Sequence, residues 1–339
     1  MRENQISTGR KIDGKDVFAV ELTNIRGSKV KIYNYGAIVS SFTVKNAQGE
    51  DQDIVLGFDD FEGYLNEDYL ANYPYLGVVI GRYANRIKDG KFSIAEKDYQ
   101  LSANLHGGTN GFDKKVWDIL PTIDPSLTLQ YISPAGEENF PGNLTVQLTF
   151  KLSDEDELIL DYHAVSDADT AVNLTHHTYF NLSKDGGNIG RYHHRIPASY
   201  YLEQDQEYIV TGRVLPVEGT IHDFLSGKTI GQDWDPAEGY DQTYVLDKPY
   251  GQLGLASETT DEGSGLKLEV YTTEPVAHFY TAKYLDVANG KGGKDYHKFE
   301  AFCIETQHAP NSINVPDFPK TVLPAGETYL QTTIFKVTV

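Results

Sequence analysis

Residues 144–152 read Leu-Thr-Val-Gln-Leu-Thr-Phe-Lys-Leu, apolar and polar side chains alternating without a break. Successive side chains of a strand point to opposite faces, so Leu144, Val146, Leu148, Phe150 and Leu152 share one face and Thr145, Gln147, Thr149 and Lys151 the other. The stretch is therefore a half-buried strand. The same period returns at Leu266–Tyr271, with Leu266, Leu268 and Val270 inward. It also runs through Val17–Thr23, Lys29–Asn34, Ala37–Lys45, Leu127–Ile132, Leu158–Val165 and Tyr329–Val339. The pairs Asp13-Gly14, Asp89-Gly90, Asn110-Gly111 and Asn289-Gly290 punctuate these runs as turns. Sustained helical periodicity is missing, and only Asp59–Asn66 admits a turn or two of helix. Many amphipathic strands without crossover helices predict an all-β protein, a large antiparallel β-sandwich. No linker, composition break or repeat divides the 339 residues, so one domain over 1–339 is expected.

The formal charge is −20, from 49 acidic and 29 basic residues. Such a field repels phosphate backbones and anionic lipid, which argues against nucleic-acid and membrane partners and suits a neutral small molecule. No apolar run approaches the roughly 18 residues of a membrane span. Cys303 is the single cysteine, so no internal disulfide can form. The N-terminal stretch MRENQISTGRKIDGKD is polar, and a cytoplasmic location is expected. The sequons at Asn143, Asn173 and Asn181 then read as chance. Strand edges cannot be located from sequence, which leaves monomer or homodimer open.

Several chemistries lack their motifs. Neither G-x-G-x-x-G nor G-x-x-x-x-G-K-[ST] occurs, and Gly290–Lys294 reads as a surface turn. There is no G-x-S-x-G elbow, H-E-x-x-H or C-x-x-C. The adjacent pairs His176-His177 and His193-His194 would send their rings to opposite faces of a strand. No cofactor and no metal are expected.

Acid–base chemistry has better candidates. In Phe299–Gln307 (FEAFCIETQ), Glu305 closes an apolar run that reads as a buried strand. A carboxylate taken from water there is costly unless paired or functional. It is either a salt-bridged structural residue or a general base. Val172–Leu182 (VNLTHHTYFNL) surrounds two histidines and a tyrosine with apolar residues. A histidine near its ordinary pKa of about 6.5 can give or take a proton at neutral pH; hydrogen-bonded core histidines are the alternative. Three weaker stretches are Leu105-His106-Gly107-Gly108, Gly81–Ile87 (GRYANRI), and Gly239-Tyr240-Asp241-Gln242, an acid on a loop before a strand at Thr243–Leu246. A turn, a salt bridge and a turn cap would explain them equally well.

Taken in order, VLGFDDFEGYL, GRYANRI, LHGGTNGFDKKVW, SPAGEENFPGNL, NLTHHTYFNL, YDQTY, VYTTEP and CIETQ resemble the aldose 1-epimerase (galactose mutarotase) family nearly end to end. The resemblance implies that family's large β-sandwich. It implies Glu305 as general base and His177, not His176, as general acid. It further implies Asn85, Arg86, His106, Tyr179 and Asp241 as sugar-binding residues. Two positions depart from the family pattern. His278 stands where members of the family can use a glutamine on the substrate, which opens the question of its contact with sugar. His176 stands where asparagine is frequent, a change beside the acid.

The implied reaction is mutarotation, the interconversion of the α and β anomers of free aldohexoses such as galactose and glucose. It needs no redox change and no phosphate. A glycoside hydrolase using Asp241 with Glu305, or a non-catalytic carbohydrate-binding protein rich in tyrosine (23 residues), are the rival readings.

Overall fold

The computed structural model describes residues 4–121 and 126–339; the first three residues of the polar N-terminal stretch lie outside them. Strand 144–152 forms as its period requires. It lies antiparallel between Ser126–Ser133 and Glu157–Ser166, with Leu148 opposite Leu129 on one side and Tyr162 on the other. These are inner strands of a nine-stranded sheet that continues through Thr328–Thr338, Leu266–Thr272 and Gly254–Asp261. The inward residues of strand 144–152 are at most 1% exposed. Burying each such Leu, Val or Phe side chain contributes roughly 1.5–3 kcal/mol.

A second, N-terminal sheet is a five-stranded meander from Gln5–Ile12 to Asp51–Asp53. Asp13 and Gly14, with φ of 49° and 78°, turn its first hairpin, as Asx-Gly at a two-residue turn requires. The strand expected from Ala37 begins at Val39, because Gly36 and Ala37 take left-handed φ of 60° and 47°.

The third sheet positions the site. Its strands are β1 (Tyr200–Gln204), β2 (Val210–Pro216), β3 (Asp241–Val245), β4 (Val276–Tyr280) and β5 (Cys303–Gln307), in the order β2-β1-β3-β4-β5. Tyr244, Ala277, Phe279 and Ile304 join the same core as Leu148, Phe150, Leu160, Leu268, Val270 and Phe335 of the nine-stranded sheet. Thr306 and Thr333 hydroxyls meet across it at 2.6 Å. Packing one face of β3–β5 on that core leaves the alternate residues, Asp241, Thr243, His278, Cys303 and Glu305, on the other face.

Two expectations need correction. Asp241 is not on a loop: it is the first residue of β3, paired with Tyr280. The helical segment also runs further than Asp59–Asn66. A 3₁₀ turn, Phe61–Leu65, is followed by an α-helix, Glu67–Asn72, because the Asn66 side chain accepts from the Asp68 N–H and starts a second helix. Among the described residues no helix is long and apolar enough to cross a membrane.

Candidate active site

Strand alternation sends Cys303 and Glu305 from β5 to the same side, and both meet His177. The imidazole Nε2 lies 3.6 Å from Glu305 Oε1, and its Nδ1 lies 3.4 Å from Cys303 Sγ. His177 and Glu305 are 128 residues apart in sequence, 5% and 2% exposed respectively. Glu305 Oε2 has no hydrogen-bond partner among the described residues. A carboxylate oxygen is rarely buried in that way without a functional reason.

His177 follows the short strand Thr175–His176 and is fixed by its backbone, its N–H donating to Val78 O at 2.8 Å and its carbonyl accepting from Gly77 N at 3.0 Å. Tyr179 and Tyr75 stack on the imidazole at 4.9 Å and 6.1 Å, with interplanar angles of 25° and 22°. Burial pushes the His177 imidazolium below its ordinary pKa, and the Glu305 charge pulls it part of the way back. The result is a stronger acid than a free histidine. His176 turns away, as adjacent strand residues must: its ring nitrogens bond Thr178 Oγ1 at 2.7 Å and Ala37 O at 3.1 Å, and burial lowers its pKa to about 4.

The two weaker loop motifs build the opposite wall together. Asn85 and His106 both adopt left-handed φ, 59° and 51°, conformations that non-glycine residues hold mainly where function requires it. The His106 N–H donates to Asn85 O at 3.0 Å, and the Asn85 N–H donates to His106 Nδ1 at 3.3 Å. That second bond leaves the His106 proton on Nε2, a donor suited to a hydroxyl oxygen. Gly107 has φ +86°, and a Cβ there would lie 2.2 Å from Gly81 O; only glycine lets the two loops approach so closely. Burial, followed by the charges of His177 and Arg86, holds the His106 imidazolium well below its ordinary pKa. Arg86 lies over the Tyr208 ring at 5.3 Å. Arg82, the other arginine of that motif, is structural: its guanidinium bonds Ser133, Pro141, Thr170 and further carbonyls.

From β3 and β4 come Asp241 and His278. His278 Nε2 lies 2.9 Å from Asp241 Oδ1, and Nδ1 lies 2.8 Å from Thr243 Oγ1.

Asn85, Arg86, His106, His177, Tyr179, Asp241, His278 and Glu305 thus line one cleft of about 210 Å³. This is smaller than the roughly 300–1,000 Å³ of pockets for drug-sized ligands and scaled to a single sugar ring. The Tyr179 hydroxyl is committed to Pro74 O at 2.7 Å, so this residue presents its ring to His177. Sequence reasoning missed Tyr75, whose only signal was the aromatic-flanked Tyr73-Pro74-Tyr75, and the contact of Cys303 with His177. His106, His177 and Glu305 could each bring one ligand atom to a metal ion, within 4.8 Å of one another. As oriented, His106 offers a proton there and not a lone pair.

The sequence profile of the aldose 1-epimerase family matches residues 19–336. The chain is 41% identical to galactose mutarotase of Mus musculus over 320 residues, 91% of each chain. It is 41% identical to galactose mutarotase of Homo sapiens over 321 residues, 92% of this chain and 91% of that one. Its fold superposes on an aldose epimerase homologue from C. elegans with a TM-score of 0.87 at 28% identity, covering 94% of this chain and 98% of that one.

Proposed function

The chain belongs to the aldose 1-epimerase family and interconverts the anomers of free aldoses, and from that premise we propose that Glu305 is its general base and His177 its general acid. The observation that carries this assignment is the 3.6 Å approach of two buried proton-transfer groups at the floor of a sugar-sized cleft.

Glu305 removes the proton from the C1 hydroxyl. The electron pair closes the C1=O bond as the bond from C1 to the ring oxygen breaks, and His177 Nε2 protonates that oxygen. The open-chain aldehyde turns about C1–C2 and closes on its other face, with both protons returned. His106 Nε2–H, Arg86, Asn85 and the second oxygen of Asp241 hold the sugar hydroxyls, while Tyr75 and Tyr179 keep the acid ring in plane. Each positioned acid or base contributes about 10²–10⁴-fold. Galactose is the expected substrate, from the names of the mouse and human relatives, with glucose as comparison. A one-domain, cytoplasmic protein is part of the same reading. Hydrolysis is not favoured: Asp241 is bound to His278, and the relatives are epimerases.

The test is polarimetry of freshly dissolved α-D-galactose and α-D-glucose. Wild type accelerates the approach to the final rotation, and Glu305→Gln lowers that catalysis by about 10²–10⁴-fold while remaining folded. Full activity in a folded Glu305→Gln protein would show the base to be another group.

A further inference from the structure

Strand β4 sets His278 between two carboxylates. On one side its Nε2 reaches Asp241 Oδ1 of β3 at 2.9 Å. On the other it stands directly across the sheet from Glu305 of β5, and directly opposed residues have Cβ atoms about 4.5–5.5 Å apart. Thr243 Oγ1, 2.8 Å from Nδ1, can accept a hydrogen bond from a protonated Nδ1. Both N–H groups of an imidazolium therefore have acceptors, although His278 is 3% exposed. The other charged and titratable groups lining the cleft are Arg86, His106 and His177 and the phenols of Tyr73, Tyr75, Tyr179, Tyr280 and Tyr284.

We propose that His278 is a cationic positioning residue for the base: anchored by Asp241 and paired with Glu305 across the ladder, its imidazolium favours the proton-accepting form of that carboxylate. The inference rests on the reading of Glu305 as base. A cation about 4–6 Å from a carboxylate favours the ionised form. Burial pushes His278 toward neutrality, but the Asp241 hydrogen bond and charge, followed by the Glu305 charge, outweigh it and raise its pKa above the ordinary value. Burial likewise works against an ionised Asp241, yet the His278 hydrogen bond and charge hold its carboxyl below the ordinary range. Both shifts run in the direction that favours an imidazolium at 278 beside an ionised Asp241.

His278→Gln separates charge from hydrogen bond, since a glutamine amide still donates to Asp241. Two readouts decide: the acid limb of kcat/KM against pH, and carbon-13 NMR titration of the Glu305 carboxyl, assigned by its loss in Glu305→Gln. In His278→Gln both move to higher pH by about one unit. Thr243→Val removes the acceptor for Nδ1–H and moves both the same way by a smaller amount; should His278→Gln fail to fold, it decides alone. An unchanged carboxyl titration overturns the inference and leaves Glu305 as base. A moved titration with full turnover in Glu305→Gln overturns the base assignment and, with it, the inference.

Discussion

The proposed acid, His177, is a single imidazole held on four sides: Glu305 and Cys303 at its two nitrogens, Tyr75 and Tyr179 on its faces. Such holding matters because a displacement of about 1 Å at a reacting group can cost roughly 100-fold in rate. Tyr75→Ala removes one face without touching a proton-transfer group. We expect kcat to fall by roughly 10–100-fold with the unfolding midpoint nearly unchanged, which polarimetry and circular dichroism will read. A second residue-scale consequence concerns His194. It is 0% exposed, stacked on Phe279 at 4.3 Å, and burial lowers its pKa to about 3. Unfolded histidine titrates near 6.5, so between these values the unfolded chain binds the extra proton and stability rises with pH. The contribution is complete above about pH 6.5 and is lost as the pH falls. At pH 4.5 its loss is worth about 2–3 kcal/mol. Guanidinium unfolding at pH 7 and 4.5 should show a smaller drop in His194→Gln than in wild type.

At the scale of the strand, period two has opposite consequences for neighbouring residues. Phe150 is fully buried and meets the His176 ring edge-on at 6.0 Å. Lys151 points outward to a half-exposed ion pair with Asp161 at 2.9 Å. Phe150→Ala leaves a cavity and should cost about 3–5 kcal/mol of unfolding free energy. Lys151→Ala loses only a surface pair, worth about 0–1 kcal/mol. Comparable costs for the two in urea titrations would contradict the assigned faces. The strands themselves were legible because alternation is a local property. The Asp241 placement was not: Gly239-Tyr240 reads as turn chemistry, and only the ladder partner Tyr280 draws Asp241 into β3. The helix at Glu67–Asn72 was equally hidden, since six residues are too few for a helical period to show.

Across the whole molecule, the site exists because the sheet β1–β5 turns one face to the shared core and the other to a cleft closed by two distant loops. Period-two patterning in the sequence determined the all-β class and which strand residues face inward, because side-chain direction in a strand follows from backbone geometry alone. The ordered motifs also pointed to eight of the residues that line the cleft. What the sequence could not contain is distance and direction. That Glu305 reaches His177 at 3.6 Å, that His106 presents Nε2–H to the cleft, and that the His278 ring is bonded to Asp241 on a strand whose ladder pairs it with Glu305 all depend on contacts between segments 21 to 128 residues apart. The same is true of the commitment of the Tyr179 hydroxyl to Pro74, 105 residues away. Such contacts are set by strand order and by the packing of sheet on sheet, where the free energy of burial is gained collectively and no local pattern records which partner each polar group will find.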